Sequence, residues 1–520
     1  MSWLPIPRAR SSYAIAGSLF LRALGVVYVM AFVSLAVQIR GLAGANGILP
    51  AANLLEALRT QMGPERFFAV PSLYWLTGAP DGLLVGGCWL GALVGAMVAC
   101  GFLPFPGLVA CFALYLSLSS VTRTFLNFQW DILLTETGFI ALFVAPMRLR
   151  MRVPCIPAPP ATALWLVRWL LFRLMFSSGV VKLASGDPTW WNLRALDVHY
   201  FTQPLPTWTA WFVHQLPAWY HTFECGVMFC VELIVPFGLF GPRQVRRAAA
   251  LILLGFQALI AATGNYAFFN YLTMALCIAS LDDGMWPAFL RRRLPAPTVP
   301  TSPAATLVSS LDPGAGGPDP ALGTPPVPAR TWPLWLSVPV LTLFLTLGCV
   351  AMTERWDFNV WWPPPFEKAL AAIRPLRIVN AYGLFAVMTT TRAEIIVEGS
   401  DDGQTWSAYE FKWKPGEVNR RPAFVAPHQP RLDWQMWFAA LSSYRQQPWY
   451  AAFLARLLQG SPDVLALLEK NPFPDHPPRY IRSIAYDYRF SDFKTRRETG
   501  AWWVRTEEGQ YSPVQSLRAP

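Results

Sequence analysis

Asn127-Phe-Gln-Trp-Asp-Ile-Leu-Leu-Thr-Glu-Thr-Gly138 opens an apolar segment that runs on to Pro146. Asp131 and Glu136 stand in it where their neighbours ask for hydrocarbon. A carboxylate at the centre of a membrane helix costs roughly 2.5–3.5 kcal/mol on insertion scales. A chain carries such a group at a helix end, against a bundle interior, or at a site. The plainest expectation is a helix-end cap plus one buried, hydrogen-bonded acid. Glu136 lies about one and a half turns further along than Asp131, so it carries most of the cost and needs a partner.

The surroundings of this stretch set the class. The 520 residues are 54% hydrophobic and only 14% charged, against about 25% charged in ordinary soluble domains. Several apolar runs reach the roughly 20 residues that a bilayer crossing needs. The expected fold is a polytopic α-helical membrane protein of about nine spans, followed by a β-rich (β-sandwich-like, α+β) domain. The net charge of +11 does not imply nucleic acid, because the arginines cluster in short loops between apolar runs, where they orient spans. Of the eight cysteines none follows Cys349 and none forms a CxxC. They read as small buried hydrophobes rather than a dithiol site.

The spans expected are 14–39, Gly82–Phe102, Pro106–Val121, Trp130–Pro146, Ala161–Leu183, Thr222–Phe240, Ala248–Ala262, Tyr266–Leu281 and Trp332–Met352. An interfacial helix is expected around Leu54–Phe68, and a long Trp- and Pro-rich loop over Ala184–His221. With the N-terminus in the cytoplasm, nine crossings put the loops 147–160, 241–247 and 282–330 inside. These hold the three arginine clusters, so each satisfies the positive-inside rule. The organisation expected is a helical transmembrane domain over 1–294, a disordered Pro/Gly-rich cytoplasmic linker over 295–330, a last transmembrane helix over 331–353, and an extracytoplasmic domain over 354–520. That domain is periplasmic at a bacterial inner membrane or lumenal in a eukaryote.

Within 354–520, Glu394–Glu398 and Tyr409–Trp413 alternate as strands around the hairpin signal Asp401-Asp402-Gly403. Arg431–Leu468 reads as two or three short helices, with Ser461-Pro462 starting one of them. Tyr480–Phe490 and Trp502–Arg505 alternate again as strands.

No metal-ligand spacing, phosphate loop or nucleophile elbow is present, so hydrolase and NTPase readings lack parts. No metal and no cofactor is expected. What remains is a set of ionisable groups in spans. Arg22, Arg168 and Arg173 face Glu224, Glu232, Asp131 and Glu136 as candidates for intramembrane ion pairs. Lys182 ends Phe176-Ser-Ser-Gly-Val-Val-Lys-Leu183. It either snorkels to the outer interface or, in apolar surroundings, acts as a base or holds an anion, with Glu136 or Asp131 assisting. The aromatics Trp190, Trp191, Tyr200, Trp502 and Trp503 are either an interfacial belt or a surface on which a partner docks.

Asn127–Gly138, Met175–Asp197 (MFSSGVVKLASGDPTWWNLRALD) and Tyr200-Phe-Thr-Gln-Pro204 resemble the lipase maturation factor family. The end of the chain agrees in kind, with Pro478-Arg-Tyr-Ile-Arg482, Tyr486-Asp-Tyr-Arg-Phe490 and Ala501-Trp-Trp503. The resemblance implies a polytopic protein, of the endoplasmic reticulum in animals, that acts as a maturation or folding factor (a chaperone) for secreted lipases. Its partners would be membrane lipids and exported, lipase-like client proteins, bound through the outer loops and the C-terminal domain. The family carries no catalytic site over to this chain. A second, local resemblance joins Gly179-Val-Val-Lys-Leu183 to the lysine-bearing helix of the vitamin K-dependent γ-carboxylase family. It implies the alternative, a membrane enzyme using Lys182 as base on a lipid-accessible substrate or quinone.

Overall fold

Hydrophobic residues on every face make α1 (Ala14–Ala36) a helix that must be surrounded, and it is the axis of the bundle. Around it stand α2 (Asp81–Ala99), α3 (Pro104–Thr122), α4 (Gln129–Val144), α5 (Ala161–Ala184), α6 (Ala218–Leu233), α7 (Arg243–Thr263), α8 (Phe269–Ile278) and α9 (Leu334–Arg355). The computed structural model describes residues 13–151, 158–291, 333–358 and 360–517. The expected linker 295–330 lies outside the described residues.

Seven of the nine helices are long and apolar enough to cross a membrane, α3 and α6 being extended by 3-10 turns to Leu126 and Phe240. The chain is therefore a multi-pass membrane protein. The other two are shorter. α4 has 16 residues, about 24 Å of rise against a hydrocarbon core of about 30 Å, and α8 has 10. Before α4 the 3-10 turn Arg123–Leu126 buries Phe125 and Leu126, and before α8 the irregular chain Gly264–Phe268 is packed in protein. Non-helical backbone is tolerated at membrane depth where protein covers it. Most of α4 is buried, whereas α7 buries only the stripe Ala249, Ala250, Leu253 and Gln257 and turns the rest outward. The close approach of α4 to α1 requires Gly138, since a Cβ there would overlap the Tyr28 hydroxyl.

The bundle has two chemically distinct ends. At one, Asp282 accepts from Arg243 Nη2 at 2.7 Å and Arg247 Nη2 at 2.6 Å, and Asp283 caps the start of α1 through Ala14 N and Ile15 N. Against the effect of burial, the bonds from Arg247 and Arg243 hold the Asp282 carboxyl well below the usual carboxylate range. Arg22, in α1, donates to Ala99 O and Met151 O at this end, 3.0 and 3.1 Å away. At the other end lie the C-termini of α1, α5 and α9, the N-termini of α4 and α6, and the turn between α7 and α8. The C-terminal region sits there.

That region holds one antiparallel sheet in the order β3-β2-β1-β4-β5, made of β1 (Ala393–Ser400), β2 (Ser407–Phe411), β3 (Leu468–Lys470), β4 (Tyr480–Phe490) and β5 (Trp503–Gln515). The central pair β1–β4 runs in register from Ala393↔Asp487 to Ser400↔Tyr480, with Ile395, Ile396 and Val397 buried. Asp402 closes the β1–β2 turn by accepting from Gln404 N and Thr405 N, and Gly403 takes φ +74°. Among the described residues the sheet is backed by helices rather than by a second sheet. They are α10 (Arg431–Ala440) and α11 (Pro448–Leu458), and α11 is joined to β4 by Tyr450 Oη–Ser483 Oγ at 2.6 Å.

Candidate functional site

The two acids of the opening stretch are where the C-terminal region grips the bundle. Asp131 is fully buried one turn into α4. Its Oδ2 accepts from Phe128 N at 3.3 Å and from Arg431 Nη1 at 3.0 Å, and its Oδ1 from Arg431 Nη2 at 2.9 Å and Tyr115 Oη at 2.5 Å. Arg431 is the first residue of α10. It also donates to Phe125 O at 2.6 Å, and its backbone N–H meets Gln38 Oε1 at 2.9 Å. A bidentate arginine–carboxylate fork fixes direction as well as distance. Around it Trp130 stacks on Phe128, with centroids 4.7 Å apart, and meets Trp434 edge-on at 4.6 Å.

Glu136 lies deeper and is also fully buried. Arg173 of α5 donates to its Oε1. Its Oε2 accepts from Asn380 N and Nδ2, both at 2.9 Å, and from Tyr382 Oη at 2.7 Å. Arg173 Nη1 in turn reaches Asn380 O at 2.8 Å. Segment 377–383 thus threads into the bundle and ends beside Gln129, whose Nε2 donates to Gly383 O at 3.0 Å. Burying an ion pair is favourable only when the remaining lone pairs and protons are satisfied; both oxygens of each carboxylate are bonded, while Arg173 Nε and Arg431 Nε have no protein partner. Further ties surround these two. Arg392 donates to Phe201 O at 2.7 Å and Pro204 O at 2.8 Å, Asn265 bridges Ala423 O and Val425 N, and Ser34 Oγ accepts from Gln429 N.

Of the five aromatics expected on a docking surface, the structure leaves one outside. Trp191 is 62% exposed, whereas Trp190, Tyr200, Trp502 and Trp503 are each 6% exposed or less. Those four fill the seam between the loop 184–221 and the sheet, with Trp502 5.5 Å from Trp211. Their burial corrects the expectation that they touch a client.

The remaining ionisable candidates divide differently from the sequence expectation. Arg22 meets carbonyls rather than acids, and Arg168 lies 5.0 Å over the Tyr13 ring. Lys182 neither snorkels nor meets Asp131 or Glu136. Its Nζ donates to Glu232 Oε2 at 2.8 Å, Glu232 Oε1 at 3.0 Å and Ser178 O at 3.0 Å. The small residues before it explain this pairing, because a Cβ at Gly179 would stand 2.6 Å from Leu233 and keep α6 away. The pair forms the wall of a cavity of about 290 Å³ between α5, α6, α7 and the helix Ala195–Thr202. His199, Tyr200, Glu224 and Tyr266 share this cavity. Tyr200 Oη donates to Glu224 Oε1 at 2.6 Å. Burial, then the nearby Lys182 charge, pushes His199 down to about 4.

Comparison with known proteins gives the same two-part division. A sequence profile described as the lipase maturation factor transmembrane domain matches residues 15–288, and one described as the lipase maturation factor C-terminal domain matches 378–513. The chain belongs to the lipase maturation factor family. It is similar to lipase maturation factor 2 of Gallus gallus, at 38% identity over 96% of this chain and 81% of that protein, and to its Homo sapiens counterpart at 36% over 96% and 83%. Lipase maturation factor 1 of Homo sapiens is 34% identical over 96% and 87%. No solved structure matches. The two parts of the lipase maturation factor pattern meet at the buried acids. Asp131 and Glu136 fall in the first, and Asn380, Tyr382 and Arg431 in the second.

The sequence reading did not reach Arg431, Tyr115, Asn380, Tyr382, Arg392 or His199. Arg431 carried one usable signal, an arginine at the head of an apolar helix (Leu432, Trp434, Met436) directly after Pro430.

Proposed function

We propose that this protein is a membrane-bound maturation factor for exported proteins, with lipases as the client class. The arginine-bearing end faces the cytoplasm. The sheet domain and the loop 184–221 face the other side, the periplasm or the lumen. Family membership along nearly the whole chain carries this reading.

The client meets a surface made jointly by the two parts. Phe212 in the loop and Phe424 and Phe493 in the C-terminal domain are all exposed. Phe212 lies 6.4 Å from Phe493, and Trp208 joins Phe212 at 6.0 Å to Phe424 at 5.7 Å. Clustered exposed aromatics supply contact area at low entropy cost and anchor interfaces. The alternative, Lys182 as a base, has less support. All three Nζ hydrogens are engaged by Glu232 and Ser178, and neither assisting acid reaches the cavity.

The test is co-expression with an exported lipase, reading active enzyme per secreted molecule. Removing the protein should lower that specific activity. Phe212→Ser with Phe493→Ser should reproduce most of the loss at unchanged membrane level. Full lipase activity without the protein would end the reading. An impermeant protease should cut the C-terminal domain only from the non-cytoplasmic side.

A further inference from the structure

We infer that the cavity between α5, α6 and α7 binds an uncharged, hydroxyl-headed, single-chain lipid drawn from the surrounding membrane. Its volume, about 290 Å³, lies at the lower edge of the roughly 300–1,000 Å³ typical of small-molecule sites. A cavity of that size holds a head group and part of a chain, so the rest of the chain must leave.

The exit is apolar. Val227 of α6 and Leu259 of α7 line the cavity and are 42% and 68% exposed. The exposed faces beside them carry Phe223, Leu251 and Ile252. On helices of this length and composition that face meets acyl chains, so the cavity opens toward lipid.

The inner end selects the head. Lys182 and Glu232 neutralise each other. Gln203 Nε2 donates to Tyr200 O and Thr263 O, which orients its Oε1 to accept from Tyr266 Oη at 3.1 Å. The Tyr266 oxygen then accepts from His199 Nε2 at 3.3 Å, leaving His199 Nδ1 as a bare acceptor. That atom has no hydrogen-bond partner, and neither does Glu224 Oε2, with His221 Nδ1 3.8 Å away. Neither acceptor has a protein donor, so a ligand hydroxyl beside them makes hydrogen bonds that the protein does not supply. An anionic head brings more acceptors beside two glutamates and is rejected. A cationic head must shed its hydration to enter a pocket with mostly apolar walls, a cost that two hydrogen bonds do not return. A hydroxyl-bearing head donates to both acceptors without adding charge.

The experiment uses the full chain in phosphatidylcholine nanodiscs and three radiolabelled probes with one acyl chain and different heads: 1-monooleoylglycerol, oleate and oleylamine. Saturable binding of monooleoylglycerol at one per chain is expected, at least about tenfold tighter than the other two, a gap of about 1.4 kcal/mol. Leu259→Trp, which plugs the mouth from its exposed side, should weaken it about tenfold or more. Leu93→Trp, on an exposed face of α2 away from the cavity, should not. Glu224→Leu should narrow the preference over oleate. Absence of saturable binding, equal binding of all three heads, a preference for oleate or oleylamine, or equal loss in Leu93→Trp would each overturn the assignment.

Discussion

Arg431 carries its charge into a fully buried site, and the stability of that arrangement rests on its fork with Asp131. Arg431→Met leaves Asp131 buried with only Tyr115 and the Phe128 amide. Removing one partner of a buried pair typically costs roughly 3–5 kcal/mol. The expected outcome is a large fall in thermal midpoint, with a cooperative transition retained. Adding Asp131→Leu should recover much of the loss, because an apolar pair of similar volume has no uncompensated charge. A double variant no more stable than Arg431→Met would show that the fork holds geometry rather than charge. Histidines outside the spans give a second residue-level expectation. His199, His214 and His428 are each pushed down from 6.5 to about 4, first by burial. The second influence is Lys182 on His199, His221 on His214 and Arg431 on His428. Between those values the unfolded chain binds up to three protons that the folded chain does not. Stability therefore falls as pH drops from about 6.5 toward 4 and is level above 6.5 on this account. Thermal denaturation across pH 4–8 measures this, and His214→Gln with His428→Gln should flatten the slope.

At the scale of elements, apolar length and alternation foretold a great deal. The nine apolar helices, the β1–β2 hairpin and β4 stand near where hydrophobic runs, the Asp401-Asp402-Gly403 turn and period-two patterning put them. α8 came out shorter than the expected Tyr266–Leu281 because composition reports how apolar a segment is and does not say where its helix begins and ends. The same blindness affected the aromatics. A row of tryptophans reads alike as interfacial belt, docking surface or core, and only the seam against the sheet decides that Trp190 and Trp502 are core. α4 yields a prediction of its own. Gly138→Ala puts a methyl against the Tyr28 hydroxyl, and overpacking of this kind costs typically about 1–3 kcal/mol. Because α4 also carries both buried acids, displacing it should loosen the grip on α10 as well. Tyr28→Phe in the Gly138→Ala background removes the overlapping oxygen and should restore most of the lost thermal midpoint. Failure to restore it would place the constraint in the helix backbone rather than in this contact.

For the whole molecule, the two parts defined by the family profiles are tied by buried polar contacts rather than strung as beads. Partners of Asp131 lie 300 residues along the chain and those of Glu136 up to 246. No local pattern in a sequence encodes such pairings, which is why the acids were legible as anomalies and their partners were not. Deleting the C-terminal region would strip Asp131 of Arg431 and Glu136 of Asn380 and Tyr382, expose the buried aromatic seam, and remove the carbonyls and amides that satisfy Gln38, Asn265 and Gln129. The client-binding platform proposed for loop 184–221 and the sheet domain would need such rigidity, because Phe212 and Phe493 belong to different parts. The consequence can be tested without deleting anything. A protease site inserted beside exposed Trp361, between α9 and the sheet domain, lets the chain be cut after folding. The fork at Asp131, the cluster at Glu136 and the Arg392 carbonyl cage are all non-covalent and all buried, so the two fragments should co-elute in detergent and melt in a single transition at neutral pH. The same cut in the Arg431→Met, Arg392→Met double variant should release the C-terminal fragment. Separation of the unsubstituted fragments would mean that the polypeptide link, rather than the buried polar ties, holds the two parts together.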